Sequence, residues 1–387
     1  MRKYDVVIIG GGMVGLAFAL ELSKRQYTSI AVVDPGEIHP TIHPTFHTRV
    51  SAITPVSETF LSDLGVWDNI ARKKPFSATK VWDQNSHGQL NFSALDEDLD
   101  HLGSIVENDV IQAALFESLD RKKIECITGS LAALDKTEYG YTATLDDQTK
   151  LSCRLLIGAD GAQSQVRNLA AIGCSENDYQ QQAFIANIAC EKDFDDAIWQ
   201  RFLAESIVAI LPLSNNQASI VWSCKKSFAD ELSVMQDDEF CKALAEALEF
   251  RFGEITLESK RKAFPLIERS AKEYVLPNLA LIGDAAHNIH PLAGQGVNLG
   301  FADAKELSMQ LYTHADKSLG DYGVLRKYAR ARRTDNELMA KTMTALNWIY
   351  KENNEGLRWL RGFGMNLIDE TPLIKSFLQK HALGKPS

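Results

Sequence analysis

Apolar residues first appear as short unbroken runs, then at helical spacing. Val6-Val7-Ile8-Ile9 is continuously apolar and β-branched, the pattern of a strand buried on both faces. Glycines follow at positions 10, 11, 12 and 15. Leu16 to Arg25 then reads as a helix, and Ser29 to Val33 as a second strand closing on Asp34. Strand, turn, helix and strand predict an α/β domain with a parallel sheet. Ser57 to Leu64 reads as a short helix ending at Gly65. Thr79 to Asp83 and Gln89 to Phe92 read as a strand pair around the turn composition Asn85-Ser86-His87-Gly88. Ile105 to Asn108 predicts a strand running into a helix over Val110 to Leu119. Ile124 to Thr128, Leu131 to Leu134, Tyr141 to Leu145 and Leu151 to Ile157 predict an antiparallel meander.

The second half repeats the alternation on a different scale. Phe184 to Ala189, Ile207 to Leu213 and Ala218 to Trp222 read as strands, the last two joined by a hairpin turn at Ser214-Asn215-Asn216-Gln217. They predict one wall of a second, sheet-rich domain. Asp237 to Phe252 places Phe240, Leu244, Ala247, Leu248 and Phe252 on one helical stripe. A short apolar strand then ends at Gly283-Asp284. Helical patterns over Asn298 to Tyr312 and Tyr322 to Tyr350 follow a loop with Pro291, Gly294 and Gly296.

Composition narrows the class. A chain of 387 residues can bury a large core and predicts two domains. A net charge of −10 argues against a nucleic-acid partner. Cysteines 126, 153, 174, 190, 224 and 241 contain no C-x-x-C pair, and the apolar start reads as strand and helix, not as a secretory signal. These features point to a reducing, cytoplasmic compartment with neither a disulfide framework nor a zinc site. Nothing reaches the 18 or so uninterrupted apolar residues of a membrane-spanning helix.

Gly10-Gly11-Gly12-Met13-Val14-Gly15 reads G-x-G-x-x-G, and Asp34 lies 19 residues past Gly15. The expected division of labour gives Gly10 the tight turn, Gly12 the close approach to a pyrophosphate and Gly15 the helix–strand packing. The helix N-terminus offers free N–H groups to phosphate, and the Asp34 carboxylate suits a ribose diol. An acid there favours FAD or NAD over NADP. His39, His43 and His47 are spaced four apart, but Pro40 and Pro44 oppose the helix that would align them on a metal, so no metal site is expected. Arg49 suits a phosphate or flavin contact. Asp160, on a Gly-Ala-Asp-Gly turn after a buried strand, either caps the next helix or contacts a ligand at the strand's carboxyl end. Gly294 and Gly296 clear side chains from a surface where a flat ring can lie on backbone amides.

The three markers, G-x-G-x-x-G at residue 10, Asp160-Gly161 and Gly283-Asp284, resemble in this order the aromatic-hydroxylating flavoprotein monooxygenases of the para-hydroxybenzoate-hydroxylase fold. Arg49 to Ile53, Leu64 to Trp67, Ile105 to Asn108, Leu211-Pro212-Leu213, Ile220 to Trp222 and Gly283 to Gly300 resemble the ubiquinone-biosynthesis hydroxylases. Val81-Trp82-Asp83, His101-Leu102-Gly103 and Ser219 to Ser223 look most like the 2-polyprenylphenol 5-hydroxylase branch. Glu205-Ser206, where that family often has glycine, and Asn288, where it usually has Thr, depart from it.

The resemblance implies an α/β fold in which an FAD-binding Rossmann-like domain (1–75, 105–180 and 275–330) is interleaved with a sheet-rich substrate domain (76–104 and 181–274), followed by a helical region (331–387). It implies FAD held by Gly10, Gly12, Gly15, Asp34, Arg49, Asn108, Asp160, Gly283 and Asp284, with the isoalloxazine along Pro291, Gly294, Gly296, Val297 and Asn298. It implies NAD(P)H as a transient co-substrate, a flavin hydroperoxide formed with O2, and oxygen transfer to a polyprenylated phenol of ubiquinone biosynthesis. A small soluble aromatic, a later quinone intermediate or a non-catalytic scaffold are the alternatives. His287, His290 and Pro291 are candidates beside the reacting ring, with a structural loop role open for the histidines. Gly323 to Gly362 carries nine Lys or Arg against four Asp or Glu, with Trp348, Trp359 and Phe363 nearby. That pattern suits either packing on the enzyme's own domain or peripheral contact with the inner membrane or a biosynthetic complex. A homo-oligomer is compatible with all of this.

Overall fold

Val6, Val7 and Ile8 have no solvent exposure, because the strand Arg2–Ile9 lies in the middle of a parallel sheet. In the computed structural model, which describes residues 1–25, 29–36, 38–84, 88–288, 296–334, 336, 371 and 376, this strand pairs on one side with Ile30–Asp34 and on the other with Lys150–Gly158. Leu279–Leu281 extends the parallel sheet beyond Lys150–Gly158, and Ile124–Thr128 extends it beyond Ile30–Asp34. All five strands end on the same edge, so their carboxyl ends share one crevice. The helices Met13–Arg25 and Gly296–Thr313 pack on the sheet and on each other.

Ile124–Thr128 departs from the expected meander. It pairs parallel with Ile30–Asp34, because the helix Asn108–Glu117, packed on Met13–Arg25, carries the chain from the three-stranded sheet back to the start of that strand. The meander is confined to Leu131–Thr137, Gly140–Leu145 and Lys150–Gly158.

A nine-stranded sheet forms the second layer, with Cys174–Cys190, Gln217–Lys225, Ser206–Pro212 and Ala197–Phe202 at its centre. One face carries Phe184, Ile188, Val208, Ile210, Ile220 and Trp222, and the helices Lys226–Val234 and Asp237–Ala247 close it. The other face contributes Ile198, Leu211 and Val221 to a small core shared with Phe76, Leu102 and Ile105. Phe76 and Ile105 belong to a three-stranded sheet of Val50–Ile53, Gly103–Glu107 and Lys74–Phe76, and Leu102 lies just before its middle strand. This second face also carries the buried polar side chains of Asn187 and Ser219, which donate to Phe46 O and Thr48 O, so it faces the segment leading into Arg49 beside the crevice.

The helix expected to reach Phe252 stops at Ala247. Arg201 Nη1 donates to Ala247 O at 2.6 Å, and Glu249 and Phe250 both take positive φ. The chain turns away, yet Phe252 still reaches the core and packs edge-on against Trp199. The described part of the helix expected over Tyr322 to Tyr350 runs over 322–334. Its remainder, with Trp348, Arg358, Trp359 and Phe363, lies outside the described residues.

Candidate functional site

The first strand delivers the chain into a turn that only glycine allows. Gly10 has φ +114°, and a Cβ there would stand 2.2 Å from Ala159 O. A Cβ on Gly15 would stand 2.0 Å from Gly10 O, so helix and strand touch through hydrogen. Gly12 differs from both: a Cβ there would meet nothing within 4 Å. Its space is open, facing away from the protein, as a site for a phosphate approaching bare backbone should be. Asp34 accepts from Gly11 N through Oδ2 at 2.7 Å and from Gly36 N through Oδ1 at 2.8 Å. Each oxygen keeps a second acceptor position, which suits a ribose diol.

The three-stranded sheet carries the next two residues. Asn108 opens the helix Asn108–Glu117. Its backbone N donates to Arg49 O at 3.0 Å, and its Oδ1 accepts from Ser51 Oγ at 2.7 Å. Arg49 is exposed, its guanidinium 5.6 Å from the Phe264 ring centre on the large sheet. Beneath them Glu107, almost fully buried, accepts from His47 N and pairs with Arg72. Arg72 also donates to His43 O and Pro44 O, holding the Pro- and His-rich segment in place. The histidines of that segment diverge: His39 stacks on Phe116, and His47 Nδ1 lies 3.4 Å from Asp109. No group of metal ligands occurs among the described residues.

Asp160 spends its carboxylate on the following helix. Oδ1 accepts from Ser164 Oγ, and Oδ2 from Gln165 N and Val166 N. Asp160 thus satisfies the first two N–H groups of the helix, while Ser164 at the N-cap accepts from Arg167 N. Burial nevertheless pushes its carboxyl above the usual range, against the pull of those same bonds. The neighbouring Arg167 is buried and donates to Ala162 O at 2.8 Å and Ala285 O at 2.9 Å. It joins the Asp160-Gly161 turn to the Gly283-Asp284 turn, a link across more than a hundred residues.

Gly283 has φ +60°, and the chain then turns through Asp284 and Ala285. Asp284 is exposed to the crevice, with Asn288 Nδ2 3.2 Å from its Oδ2. The concave surroundings push its carboxyl above the usual range, while His287, Asn288 and Arg49 pull the other way. A Cβ on Gly296 would sit 4.0 Å from Asp284 Oδ1, so the helix Gly296–Thr313 begins directly over this carboxylate. Val297 packs against the core of the nucleotide domain. Asn298 staples the helix to the three-stranded sheet: Nδ2 donates to Ala52 O at 2.8 Å, and Oδ1 accepts from Thr54 N at 3.1 Å. Pro291, Gly294 and His290 lie outside the described residues.

His287 points away from the crevice. It is 4% exposed, and its Nε2 lies 2.5 Å from Oδ2 of Asp303, which has no exposure. The same Oδ2 accepts from Gly283 N at 2.9 Å, and Oδ1 from Arg332 Nε at 2.8 Å. Burial would raise the Asp303 carboxyl; His287 and Arg332 outweigh it and hold it below the usual range.

The description of the family model that matches residues 3–342 is an FAD-binding domain. The 3-demethoxyubiquinol 3-hydroxylase of Escherichia coli (strain K12) is 36% identical over 98% of both chains. The mitochondrial ubiquinone biosynthesis monooxygenase COQ6 of Mus musculus is 34% identical over 98% of this chain and 90% of its own. The chain belongs to the ubiquinone-biosynthesis hydroxylase family. Its fold is that of solved flavin monooxygenases: p-nitrophenol 4-monooxygenase PnpA from Pseudomonas putida DLL-E4 superposes with a TM-score of 0.81 at 18% identity, with 100% of both chains covered. PqsL of P. aeruginosa does so at 0.79 and 21%, covering 94% of this chain and 100% of its own.

A hydroxylase of this family is an FAD-dependent monooxygenase, and the crevice fits that cofactor. The acid at Asp34, the open cradle at Gly12, the Asp160 turn and Asp284 follow one another along the strand ends, and Arg49 is near enough to act on the Asp284 carboxyl. The structure brings Gly10, Gly12, Gly15, Asp34, Asp160, Gly283 and Asp284 to the nucleotide sheet, with Arg49, Asn108 and Asn298 beside them. Sequence reasoning missed Arg167, Asp303 and Arg332, which touch this ring of residues from behind. Asp303 had one readable signal. It falls on the same helical stripe as Gly300, Ala304, Leu307 and Leu311, where a charge needs a partner.

Proposed function

We propose that this hydroxylase inserts one oxygen atom into the ring of a polyprenylated phenol in ubiquinone biosynthesis, with O2 as oxidant and NAD(P)H as reductant. The observation that carries this reading is the crevice that gathers Gly12, Asp34 and Asp284, in a chain related over 98% of its length to a hydroxylase named for that pathway's quinol. Bound FAD, once reduced, activates O2 for transfer to an electron-rich ring. The chain's own residues do the rest. Gly12 and the helix behind it hold phosphate, Asp34 holds ribose, and Asp284, Arg49 and Asn108 line the path toward the flavin ring. The second face of the large sheet closes the crevice and excludes water from the reacting ring. We assign the strand group at 2–53, 103–158 and 275–281 to FAD and the nine-stranded sheet to substrate. His287 is placed as a structural residue, since Asp303 holds it away from the crevice.

One relative favours a later ring as substrate: the E. coli hydroxylase is named for 3-demethoxyubiquinol. Among the described residues no helix is long and apolar enough to cross a membrane. The reading gives the enzyme access to a lipid substrate through peripheral contact with the inner membrane or through a biosynthetic complex. Mitochondrial relatives such as COQ6 carry their location in their names.

The test supplies purified protein, FAD, NADH or NADPH and ¹⁸O2 with either a prenylated phenol or demethoxyubiquinol, and reads product mass. One heavy oxygen in the phenol supports the first reading, and one in demethoxyubiquinol supports the second. Stoichiometric FAD with no oxygen incorporated into either would identify a non-catalytic scaffold.

A further inference from the structure

We propose that Asp303 positions Asp284 for FAD, and that it does so on a counter-charge held by Arg332, outside the crevice. This rests on the reading that Asp284 contacts the cofactor. Asp303, His287 and Arg332 are 0%, 4% and 8% exposed. They come from three elements: the helix Gly296–Thr313, the short strand His287–Asn288 and the helix over 322–334.

Asp284 stands on a turn of six residues, Gly283 to Asn288, and both ends of that turn are pinned. At the start, Gly283 N donates to Asp303 Oδ2. At the end, His287 reaches the same oxygen. A carboxylate only accepts, so His287 carries its proton on Nε2. His287 and Asn288 also pair with Ser270 and Arg269 on the edge of the large sheet. One carboxylate oxygen thus closes the turn into a loop, and Asp284 projects from its outer side. Val14 lies close on this side, where a Cβ added to Gly283 would stand 3.3 Å from Val14 Cγ1.

Arg332 makes the clamp possible. A buried carboxylate without a cation would shed its charge. Arg332 Nε supplies that cation at 2.8 Å, and its Nη2 donates to Asn336 Oδ1 at 3.0 Å. Tyr274, 5.8 Å from the His287 ring, and Tyr328, bonded to Leu281 O, wall off the cluster. Cofactor affinity is then set in part by a helix that does not line the crevice.

The experiment titrates FAD into apo protein of His287→Gln, His287→Leu and Asp284→Ala, with far-UV circular dichroism and apo melting as fold controls. Gln retains an N–H donor near the position of Nε2; Leu does not. Loss of a bond to a charged acceptor predicts FAD binding at least about tenfold weaker in His287→Leu. His287→Gln should stay close to wild type and keep the resolved shoulders of the flavin absorption band. Equal affinity in the two His287 variants overturns the proposal. Unchanged affinity in Asp284→Ala overturns the reading beneath it, and a weakened Asp284→Ala with equal His287 variants overturns only the positioning role. Should His287→Leu fail to fold, Arg332→Lys against Arg332→Gln decides. Tighter FAD binding in the Lys variant, which keeps the counter-charge, supports the proposal, and equal binding sinks it.

Discussion

Gly300 lies against Val14: a Cβ on Gly300 would stand 2.4 Å from Val14 Cγ2. Two helices that begin on opposite sides of the cofactor crevice therefore meet through a missing methyl. Ala in place of a mid-helix glycine ordinarily gains up to about 1 kcal/mol. Overpacking a fitted contact costs about 1–3 kcal/mol, so packing wins. Gly300→Ala is expected to lower the melting temperature and weaken FAD retention together. A variant more stable than wild type would show that the two helices slide apart freely.

Gly12 and Gly15 belong to one motif but are expected to fail differently. Gly15→Val drives a side chain into the Gly10 carbonyl and should damage the fold itself. Gly12→Val places its side chain in open space, where nothing of the protein lies within 4 Å of the new Cβ. Its apo form should melt like wild type and purify colourless. A Gly12→Val protein that retains stoichiometric FAD would remove the pyrophosphate from this turn.

These glycines were legible because their spacing is local: one strand, one turn and one helix fix every distance the chemistry needs. The same holds for Asp34 at the end of the next strand. Arg332 was not legible as a partner, because it looks like a surface charge on an amphipathic helix, and Asp303, whose place on an apolar stripe asks for a partner, does not say which one until the helices are packed. Ile124–Thr128 was misplaced for a related reason. An apolar run announces a strand, but not whether its neighbour lies ahead in the chain or behind. The polar half of Cys174–Cys190, Ser175 to Gln182, carries no strand pattern at all. Its pairing with Lys262–Ala271 holds Ser175 to Asp178 extended and resumes at Gln182, across a bulge in which Gln180 takes positive φ.

Arg167 is expected to matter to FAD without touching the open face of the crevice. Its two bonds to Ala162 O and Ala285 O tie both Asp-bearing turns together. Hydrogen bonds from a charged donor contribute about 1.5–3 kcal/mol. Arg167→Met, which fills similar space, should lose about that much stability and lower FAD affinity. Circular dichroism melting and fluorescence titration read the two effects. Loss of stability with FAD affinity unchanged would confine Arg167 to packing.

Asp284 should trade stability for binding. Its folded carboxyl titrates above the usual range because its surroundings disfavour the charge. A raised folded value means that ionisation is harder in the native state than in the unfolded chain. The charged form therefore costs native stability in full above the folded pKa, and the cost fades as pH falls from the folded toward the unfolded value and is gone below that. Asp284→Asn removes that cost. The apo variant is expected to melt slightly above wild type at neutral pH, and level with it in acid. Solvent reaches Asp284 in the open crevice, so the gain is small. FAD binding should move the other way, weakening by about 1–3 kcal/mol as a polar partner is lost. Apo melting across pH and flavin titration at neutral pH decide the matter. A variant that loses apo stability at neutral pH would contradict the raised carboxyl, and one that binds FAD as tightly as wild type would remove Asp284 from the cofactor's reach.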